Sequence, residues 1–453
     1  MHIHILGICG TFMGGIAQIA RALGHRVTGS DEHVYPPMSE HLAAAGIEIS
    51  PGYDVAHLDP APDLVLIGNA LSRGNACVEH VLCERLRYDS GPGWLKRAVL
   101  HDRRVVAVAG THGKTTTTSL IAWLLEAAGH EPGYLIGGRA NNFSLTASLG
   151  AGQFFVIEAD EYDTAFFDKR SKFIHYQPEI FIINNLEFDH ADIFENIGDI
   201  QRQFHHAVRT VPANGLIIAN GDSAPVTRTL DMGCWAPVQT IGTNKDSNWC
   251  LEETQAPNHF DLSRDGSNID TFRAPIGGKH NAMNAAVALI TASHLGLDLD
   301  QSIEALGNFK GVKRRLDNYA NVGGINLYDD FAHHPTAIRA TLETMRGLNQ
   351  TGRTICILEP RSNTMQNGTH REALAEVFDD ADLVFLFEPE NLAWNLRETA
   401  AAIGEKCECH ADVETLLAAV GNKALAGDHI VIMSNGGFQG IHQKLKERLT
   451  NGT

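Results

Sequence analysis

The sequence has few basic residues, no Cys-x-x-Cys pair and no long apolar run. Its 36 lysine and arginine residues stand against 54 aspartate and glutamate residues, a formal charge of −18, so it lacks the basic surface of a nucleic-acid-binding protein. No apolar run approaches the ~18 residues of a membrane-spanning helix. The eight cysteines are too scattered for a zinc or disulfide framework, which favours reduced thiols and a cytoplasmic protein without membrane partners.

The chain does contain the alternation of strand and helix segments that is typical of an α/β protein. At 453 residues, with 43% hydrophobic and 20% charged residues, it has the composition of a multidomain globular protein. Strand-like apolar runs alternate with helical stretches, which predicts parallel sheets covered by helices. The alternation is interrupted at YDSGPGW and near FKGVKRRLD. We therefore predict three α/β domains, comprising residues 1–98, 99–313 and 314–453.

The first domain opens with a strand, a glycine loop, a helix and a second strand that ends at Asp31. This order is typical of a nucleotide-binding unit in which the loop and the helix N-terminus bind a diphosphate. However, Gly7, Gly10 and Gly14 do not follow the G-x-G-x-x-G spacing of dinucleotide sites, and Cys9 stands where the second glycine belongs. An NAD-dependent oxidoreductase is the alternative suggested by this unit alone, and it leaves a second glycine loop unexplained.

That second loop, AGTHGKTTTT, lies between a buried-type strand and an apolar-striped helix. Its backbone N–H groups and the helix N-terminus favour phosphate, Lys114 can reach the outer phosphates, and the Thr115 hydroxyl can bind Mg²⁺. The loop is shorter than the common form, because Val108 stands at an expected glycine position and the glycines are Gly110 and Gly113. A phosphate-binding module without chemistry is an alternative, but it does not explain the two flanking α/β domains.

Polar side chains follow two further strands of the predicted central sheet. The segment IEAD places Glu158 and Asp160 at one strand end, and INNLEFDH places Asn185, Asp189 and His190 at the next. The carboxyl ends of neighbouring parallel strands meet at one edge of a sheet, where ligands bind. Because hard cations take oxygen donors, we predict Mg²⁺ beside the phosphate loop.

Taken in order, these motifs resemble those of the Mur ligase superfamily, the ATP-dependent amide-forming enzymes of peptidoglycan assembly. The chain also carries GGKHNAMNAAVA, RRLD and YDDFAHHP in the family's order, so the resemblance covers essentially its whole length. It implies an N-terminal Rossmann-like domain for a UDP-sugar, a central P-loop ATPase with a mostly parallel sheet, and a C-terminal Rossmann-like domain for the incoming amine. It further implies a cytoplasmic monomer or weak homo-oligomer that acts on small molecules.

The resemblance also assigns site residues, motif by motif. The implied catalytic groups are Lys114, Arg315, His333 and His334, and for either histidine a structural role stays open. The implied ATP contacts are Gly110, Thr111, His112, Gly113, Lys114, Thr115, Thr116, Asn281, Asn284 (adenine), Arg315 (γ-phosphate) and Asp330 (ribose). The implied Mg²⁺ ligands are Thr115, Glu158 and His190. The implied UDP-sugar contacts are Gly10, Thr11, Phe12, Met13, Gly14, Asp31, Asn69 and Ser72.

Two branches of the superfamily act on UDP-N-acetylmuramate itself. One adds L-alanine, and the other attaches the recycled tripeptide L-Ala-γ-D-Glu-meso-diaminopimelate. The segments GICGTFMGG and EADEYDTAFFDKRSKF are similar to the tripeptide branch. In addition, Arg361, Ser362 and Asn363 replace the His-Arg pair expected beside a single amino acid, and are implied to bind peptide. We therefore expect a tripeptide ligase of cell-wall recycling, with the alanine-adding ligase as the alternative.

One departure from the wider superfamily concerns the metal. Several members use a carbamylated lysine that follows the motif histidine to bind a second Mg²⁺. This chain has no lysine between Lys172 and Lys245, so that device is absent. The resemblance therefore implies two Mg²⁺ ions but leaves the ligands of the second ion open beyond Glu158 and His190.

Overall fold

The structure is a computed structural model that describes residues 1–35, 38–191, 193–348 and 351–451. Three sheets follow one another along the chain, each built mainly from parallel strands with helices between them. The prediction of an α/β fold with mostly parallel sheets is confirmed. Among the described residues, no helix combines the length and the apolar character that a membrane crossing requires.

The N-terminal sheet is parallel and has the strand order β3-β2-β1-β4-β5. Its strands are β1 (His2–Leu6), β2 (Arg26–Asp31), β3 (Glu48–Pro51), β4 (Leu64–Ile67) and β5 (Tyr88–Ser90). Its helices are α1 (Thr11–Ala22), α2 (Met38–Ala44), α3 (Ala76–Cys83) and α4 (Gly91–Ala98). The strand order reverses between β1 and β4, and the first glycine loop leaves β1 at this point, where doubly wound sheets bind their ligands.

The central sheet has ten strands in the order β17-β16-β15-β14-β13-β12-β6-β9-β7-β8. In chain order, the strands of this region, with the separate hairpin β10–β11, are β6 (Arg104–Ala109), β7 (Gly133–Leu135), β8 (Ala147–Ser148), β9 (Phe154–Glu158), β10 (Asp163–Ala165), β11 (Asp168–Ser171), β12 (Ile180–Ile183), β13 (Leu216–Asn220), β14 (Val238–Gly242), β15 (Trp249–Glu253), β16 (His259–Arg264) and β17 (Ser267–Arg273). The helices are α5 (Lys114–Ala127), α6 (Ile197–Val208), α7 (Ala224–Asp231), α8 (Lys279–His294) and α9 (Leu299–Gly307). Strand β6 pairs with β9 and β12, so the loops after these three strands converge.

The C-terminal sheet has the strand order β18-β19-β23-β20-β21-β22, and only its first pair is antiparallel. Its strands are β18 (Asp317–Val322), β19 (Ile325–Asp330), β20 (Thr354–Leu358), β21 (Leu383–Phe387), β22 (Cys407–His410) and β23 (His429–Met433). Its helices are α10 (Pro335–Leu348), α11 (Asn363–Gln366), α12 (Arg371–Ala375), α13 (Leu396–Ile403), α14 (Val413–Lys423) and α15 (Ile441–Asn451).

The boundaries of the hydrophobic cores differ from the boundaries of the three large sheets. One buried cluster runs without a break from the N-terminal sheet into the central one, joining residues such as Ile16 and Trp94 to Leu135 and Ala147. The hairpin β10–β11 adds Phe166, which packs against a smaller N-terminal cluster around Leu71. The C-terminal sheet has separate apolar clusters on its two faces.

Candidate active site

Loops from all three sheets line one cavity of about 1390 Å³. The N-terminal sheet contributes the first glycine loop, the central sheet contributes the phosphate loop, and the C-terminal sheet contributes the loops after β19, β20 and β23. Predicted site residues that line the cavity are Thr11, Phe12, Thr111, His112, Gly113, Lys114, Thr115, Thr116, Glu158, His190, Asn281, Asn284, Arg315, Asp330, His333 and Arg361. The structure therefore brings most of the predicted groups to one place.

The phosphate loop has the backbone geometry that its glycines predict. Gly110 and Gly113 have φ values of +135° and +81°, which side-chain-bearing residues rarely adopt. A Cβ atom on Gly113 would lie 2.5 Å from Oδ1 of Asn284, so this position is also sterically restricted to glycine. Helix α5 begins at Lys114 with no capping side chain among the described residues, which leaves its first N–H groups for a phosphate.

Lys114 lies at the centre of an acidic environment. Its Nζ donates to the carbonyl oxygen of Gly110 at 2.7 Å and lies 3.3 Å from Glu161 and 3.9 Å from Asp160. Burial disfavours the ammonium form, but the carboxylates of Glu161 and Asp160 outweigh it and raise the pKa of Lys114. Lys114 is therefore charged, and its Nζ is held beside the loop backbone, where it can contact a phosphate.

Glu161 is a site residue that our sequence reasoning did not assign. It is 3% exposed, and its two oxygens lie 3.3 Å from Lys114 Nζ and 3.2 Å from Nε2 of His190. Burial favours its neutral form, but Lys114 and His190 hold the pKa of Glu161 at about 2. The same carboxylate outweighs burial at His190 and raises the pKa of that imidazole. The one signal in the sequence was the position of Glu161 as the last acid of EADE. That signal is weak, because a glutamate that follows a strand ordinarily faces solvent.

We expect Glu161→Gln to destabilise the protein at neutral pH and to weaken its acid sensitivity. The pKa of about 2 lies below the ordinary 4.5, so the carboxylate stabilises the fold above about pH 4.5 and loses this effect as the pH falls toward 2. Leaving Lys114 and His190 without their counter-charge costs on the order of 3 kcal/mol at pH 7. Thermal unfolding from pH 7 to pH 3 checks this, with the exposed Glu405→Gln as the control. Parallel pH profiles for Glu161→Gln and the unmodified chain would contradict the assignment.

The oxygen donors expected for Mg²⁺ are in direct contact with each other at the end of β9 and the start of α5. The Thr115 hydroxyl donates to Oε1 of Glu158 at 2.9 Å, and the backbone N–H of Gly137 donates to Oε2 at 2.6 Å. Burial and, to a smaller extent, the negative charge of Asp160 raise the pKa of Glu158. The ionised carboxylate is therefore unfavourable by itself, and a bound cation would stabilise it. A hydroxyl and a buried carboxylate suit Mg²⁺. His190, the third predicted ligand, contacts Glu161 instead of Glu158.

Two arginines reach this region from the start of the C-terminal domain. Nη2 of Arg315 lies 3.4 Å from the Thr115 hydroxyl, and its guanidinium lies 4.9 Å from the centre of the Phe331 ring. Arg314 faces the same ring at 5.1 Å and donates to the carbonyl oxygens of Ser434 and Gly436. The cation–π contacts fix both side chains, and Arg315 is thereby placed against the phosphate loop.

Asp330, expected to contact ribose, lines the cavity but also has local partners. Its carboxylate accepts the backbone N–H groups of Leu316 and Ala332 at 2.6 and 2.8 Å. Leu316 has a left-handed φ of +50°, and Arg314 has one of +62°, so the chain around Arg315 is held in an uncommon conformation. Asp330 therefore positions the arginine segment.

Asn281 and Asn284 lie at the start of α8. Asn281 donates to the carbonyl oxygen of Gly277 at 2.8 Å, and Asn284 accepts from the Thr117 hydroxyl at 3.1 Å. A second cavity of about 670 Å³ adjoins Asn284 and is lined by apolar side chains such as Ile182 and Phe260. An apolar pocket next to the phosphate loop has the shape and chemistry that suit a purine base.

The N-terminal glycine loop is organised by Asp31. Its carboxylate accepts the backbone N–H of Cys9 at 2.8 Å and that of His33 at 3.0 Å. Helix α1 begins after Gly10 with no capping side chain among the described residues, so the N–H groups of its first turn have no side-chain partner there, and Thr11 and Phe12 line the cavity. This arrangement suits a diphosphate.

The other predicted UDP-sugar contacts are placed differently. The Met13 side chain is buried in the core, and Gly14 packs against Met38, so these residues could offer a ligand only their backbone groups. Asn69 and Ser72 are exposed and do not line the cavity. The structure therefore brings Thr11 and Phe12 to the cavity but not Asn69 and Ser72.

The two histidines of YDDFAHHP face the central domain. Nδ1 of His333 lies 2.9 Å from the carbonyl oxygen of Phe331, and burial lowers the pKa of His333 to about 4. Nδ1 of His334 lies 3.3 Å from Glu187, and burial, with the nearby His112, lowers the pKa of His334 to about 3. Both imidazoles are neutral near pH 7, so each can accept a hydrogen bond or a proton.

Arg361, Ser362 and Asn363 follow strand β20. The guanidinium of Arg361 packs against Gly436, where a Cβ atom would clash with it, and both residues line the cavity. The Ser362 side chain caps α11 by accepting the N–H of Met365, and Asn363 is the first residue of that helix. Arg361 is therefore presented to the cavity, whereas Ser362 is occupied by the helix cap.

Comparison with known proteins connects these features to one family. Three family models match successive parts of the chain: "Mur ligase family, catalytic domain" over residues 2–103, "Mur ligase middle domain" over residues 108–292, and "Mur ligase, glutamate ligase domain" over residues 314–436. Together they cover the glycine loop, the phosphate loop and the segments that carry Arg315 and Arg361.

Individual relatives extend the similarity to the full length. The chain is 50% identical over 450 residues to the UDP-N-acetylmuramate–L-alanyl-γ-D-glutamyl-meso-2,6-diaminoheptandioate ligase of Haemophilus influenzae, covering 99% of both. It is 51% identical over 451 residues to the protein of that name from Escherichia coli, covering 99% of this chain and 98% of the other. A crystal structure of a murein peptide ligase from Psychrobacter arcticus superposes with a TM-score of 0.77 at 44% identity, covering 100% of this chain and 99% of that one.

Proposed function

The chain belongs to the Mur ligase family of ATP-dependent ligases, and on this premise we propose that it joins UDP-N-acetylmuramate to a peptide. The peptide is the tripeptide L-Ala-γ-D-Glu-meso-diaminopimelate, and the products are the amide, ADP and phosphate. Two relatives that match this chain over its full length, at 50% and 51% identity, are named for this activity, which supports the same substrates here. The reaction places the protein in cell-wall recycling, in the cytoplasm, where ATP and UDP-sugars are found.

The observation that carries the proposal is the single cavity shared by the three sheets. A ligase of this kind must bring a nucleotide-linked acid, ATP and an amine together in one place. The glycine loop that contains Thr11, the phosphate loop that contains Lys114, and Arg361 of the C-terminal domain all line the same cavity. We assign the UDP-sugar to the N-terminal domain, ATP mainly to the central domain and the peptide to the C-terminal domain, which also extends Arg315 to the phosphate loop.

The chemistry requires the acid to be activated first. A carboxylate does not react with an amine at neutral pH, because oxide would have to leave. The lactyl carboxylate of UDP-N-acetylmuramate therefore attacks the γ-phosphate of ATP, forming an acyl phosphate and releasing ADP. Lys114 and Arg315 stabilise the negative charge that is spread over the transferring phosphoryl group. Thr115 and Glu158, with His190 as the third expected ligand, would hold Mg²⁺, which would supply further positive charge when bound.

The amide bond then forms when the L-alanine amine of the tripeptide attacks the acyl carbon. Phosphate leaves, and the attacking nitrogen loses a proton. His333 lies at the cavity wall with its imidazole in the neutral form, so it can orient the amine or accept this proton. Arg361 is placed to bind a carboxylate of the peptide, because a guanidinium pairs with carboxylates in two-point contacts.

A comparison of acceptors tests the proposal. With ATP and UDP-N-acetylmuramate fixed, we expect kcat/KM for ADP release to be on the order of 10² higher or more with the tripeptide than with L-alanine, since the extra contacts are made only by the peptide. Reactions without acceptor and without UDP-sugar are the controls. A higher kcat/KM with L-alanine would show that the chain is the alanine-adding ligase instead.

A further inference from the structure

A cluster of two imidazoles and a carboxylate lies between the central and C-terminal domains, apart from the Mg²⁺ donors. We call it the His–Glu–His cluster; it consists of His112 in the phosphate loop, Glu187 after strand β12 and His334 before helix α10. Oε2 of Glu187 lies 3.5 Å from Nε2 of His112 and 3.3 Å from Nδ1 of His334. One ligand atom from each residue lies within 4.8 Å of the others.

The hydrogen bonds of this cluster leave electron pairs facing one another. Nδ1 of His334 is in position to accept the backbone N–H of Thr336 at 3.3 Å, and Oε2 of Glu187 accepts the Thr336 hydroxyl at 2.7 Å. Nδ1 of His334 and Oε2 of Glu187 then both act as acceptors and lie 3.3 Å apart with electron pairs facing each other. The two atoms repel each other unless a positive charge lies nearby.

The buried atoms of the cluster make this arrangement costly. The His334 residue is 6% exposed and the His112 and Glu187 side chains are 21% and 32% exposed, and among the described residues Nε2 of His112, the atom closest to Glu187, is buried without a hydrogen-bond partner. Buried polar atoms without partners are rare in folded proteins and often indicate an ion or water at the site. The neutral state of His334 is also the state in which imidazole binds metals.

We propose that His112, Glu187 and His334 bind a transition-metal cation, Zn²⁺, between the two domains. Two imidazole nitrogens and one carboxylate oxygen are a common zinc donor set with a fourth position open for water, whereas Mg²⁺ prefers oxygen donors. Zinc bonds of about 2.0–2.1 Å require the three ligand atoms to approach one another to roughly 3.4 Å, a shift of about 1 Å or less for each side chain.

Because the cluster lies between two domains, a metal bound there would affect their movement. His112 and Glu187 belong to the central domain and His334 to the C-terminal domain, so a bound ion crosslinks the two. This consequence rests on the proposed ligase function, because domains that close over ATP must open again to release products. The binding of the metal itself does not depend on that function and can be tested without substrates.

Equilibrium dialysis against Zn²⁺ tests the site, using the full chain without nucleotide and with Mg²⁺ in excess. Glu187→Gln and His334→Asn remove one ligand each, and we expect both to bind one Zn²⁺ fewer than the unmodified chain, or to bind it about 100-fold more weakly or worse. Two control variants should retain this ion: His206→Asn removes an exposed imidazole on α6, and Glu158→Gln alters the Mg²⁺ donors. Co²⁺ serves as the spectroscopic probe, because tetrahedral coordination gives it a strong visible absorption.

Two outcomes would overturn the proposal. One is equal zinc stoichiometry and affinity in Glu187→Gln, His334→Asn and the unmodified chain. The other is loss of the ion in Glu158→Gln but not in Glu187→Gln, which would place the zinc among the Mg²⁺ donors. Thermal unfolding of each variant establishes that it is folded, and an increase in Tm on adding Zn²⁺ should occur only in the variants that keep the cluster.

Discussion

Replacing Lys114 with alanine is expected to lower ADP release by about 10³-fold or more. Nζ of Lys114 is held by the carbonyl oxygen of Gly110 and by Glu161, in a loop that contains no other lysine or arginine. In the proposed mechanism the substitution removes the side-chain charge that faces the transferring phosphate, and the backbone N–H groups alone do not replace it. It also leaves Glu161 without one of its two cationic partners.

The loss should be confined to the phosphate step. Because we propose that UDP-N-acetylmuramate binds through the N-terminal loop, its affinity, measured by calorimetry, should be unchanged in Lys114→Ala. Lys245→Ala is the matched control, because the Lys245 side chain is 87% exposed and far along the chain from the loop. Near-normal turnover in Lys114→Ala would show that the loop does not hold the reacting phosphate.

Replacing Glu158 with glutamine is expected to lower turnover by about 10² to 10³-fold while making the free protein slightly more stable. The carboxylate is buried, and its pKa is raised by burial and by Asp160, so the ionised form destabilises the fold at neutral pH. A glutamine of the same shape can accept the N–H of Gly137 and donate to Thr115, which preserves the local hydrogen bonds. The charge that we propose binds Mg²⁺ is lost.

Two measurements separate these effects. The Mg²⁺ concentration that gives half-maximal ADP release should rise in Glu158→Gln. Its free energy of unfolding at pH 7, without Mg²⁺, should increase by about 1 kcal/mol, and this gain should fade as the pH falls through the raised pKa of Glu158 toward the ordinary 4.5, below which the carboxyl is protonated in both the folded and the unfolded chain. Glu304→Gln, an exposed position on α9, is the control. A lower stability and unchanged Mg²⁺ dependence would contradict the assignment.

The parts of the site that the sequence predicts are those defined by local pattern. The strand and glycine run before Lys114 specifies a phosphate loop, because the backbone conformation there depends on residues adjacent in the chain. The alternation of βα units likewise predicts the parallel sheets. The hairpin β16–β17 carried a readable signal that we did not use: Asp265 and Gly266, with φ of +47° and +79°, form the Asp-Gly turn typical of tight hairpins.

The parts that the sequence does not predict depend on contacts between distant segments. Glu161 binds Lys114, which is 47 positions away, and its burial cannot be inferred from EADE. Glu187 and Asp189 accept hydrogen bonds from the hydroxyls of Thr336 and Thr364 in the C-terminal domain. The segment INNLEFDH predicts that Asp189 lies at the edge of the sheet, but only the tertiary structure shows that Glu187 and Asp189 join the two domains.

The continuous core between the first two sheets has a consequence for folding. Helix α1 packs Gly15 against Ala147 and Leu135 of the central sheet, and one apolar cluster spans both regions. Residues that share a core lose their packing together, so the first two sheets form a single cooperative unit during denaturation. The C-terminal sheet has its own apolar clusters and meets Glu187 and Asp189 through hydroxyl groups. We therefore expect the three large sheets of the described residues to form two units of stability, one made of the N-terminal and central sheets and one made of the C-terminal sheet.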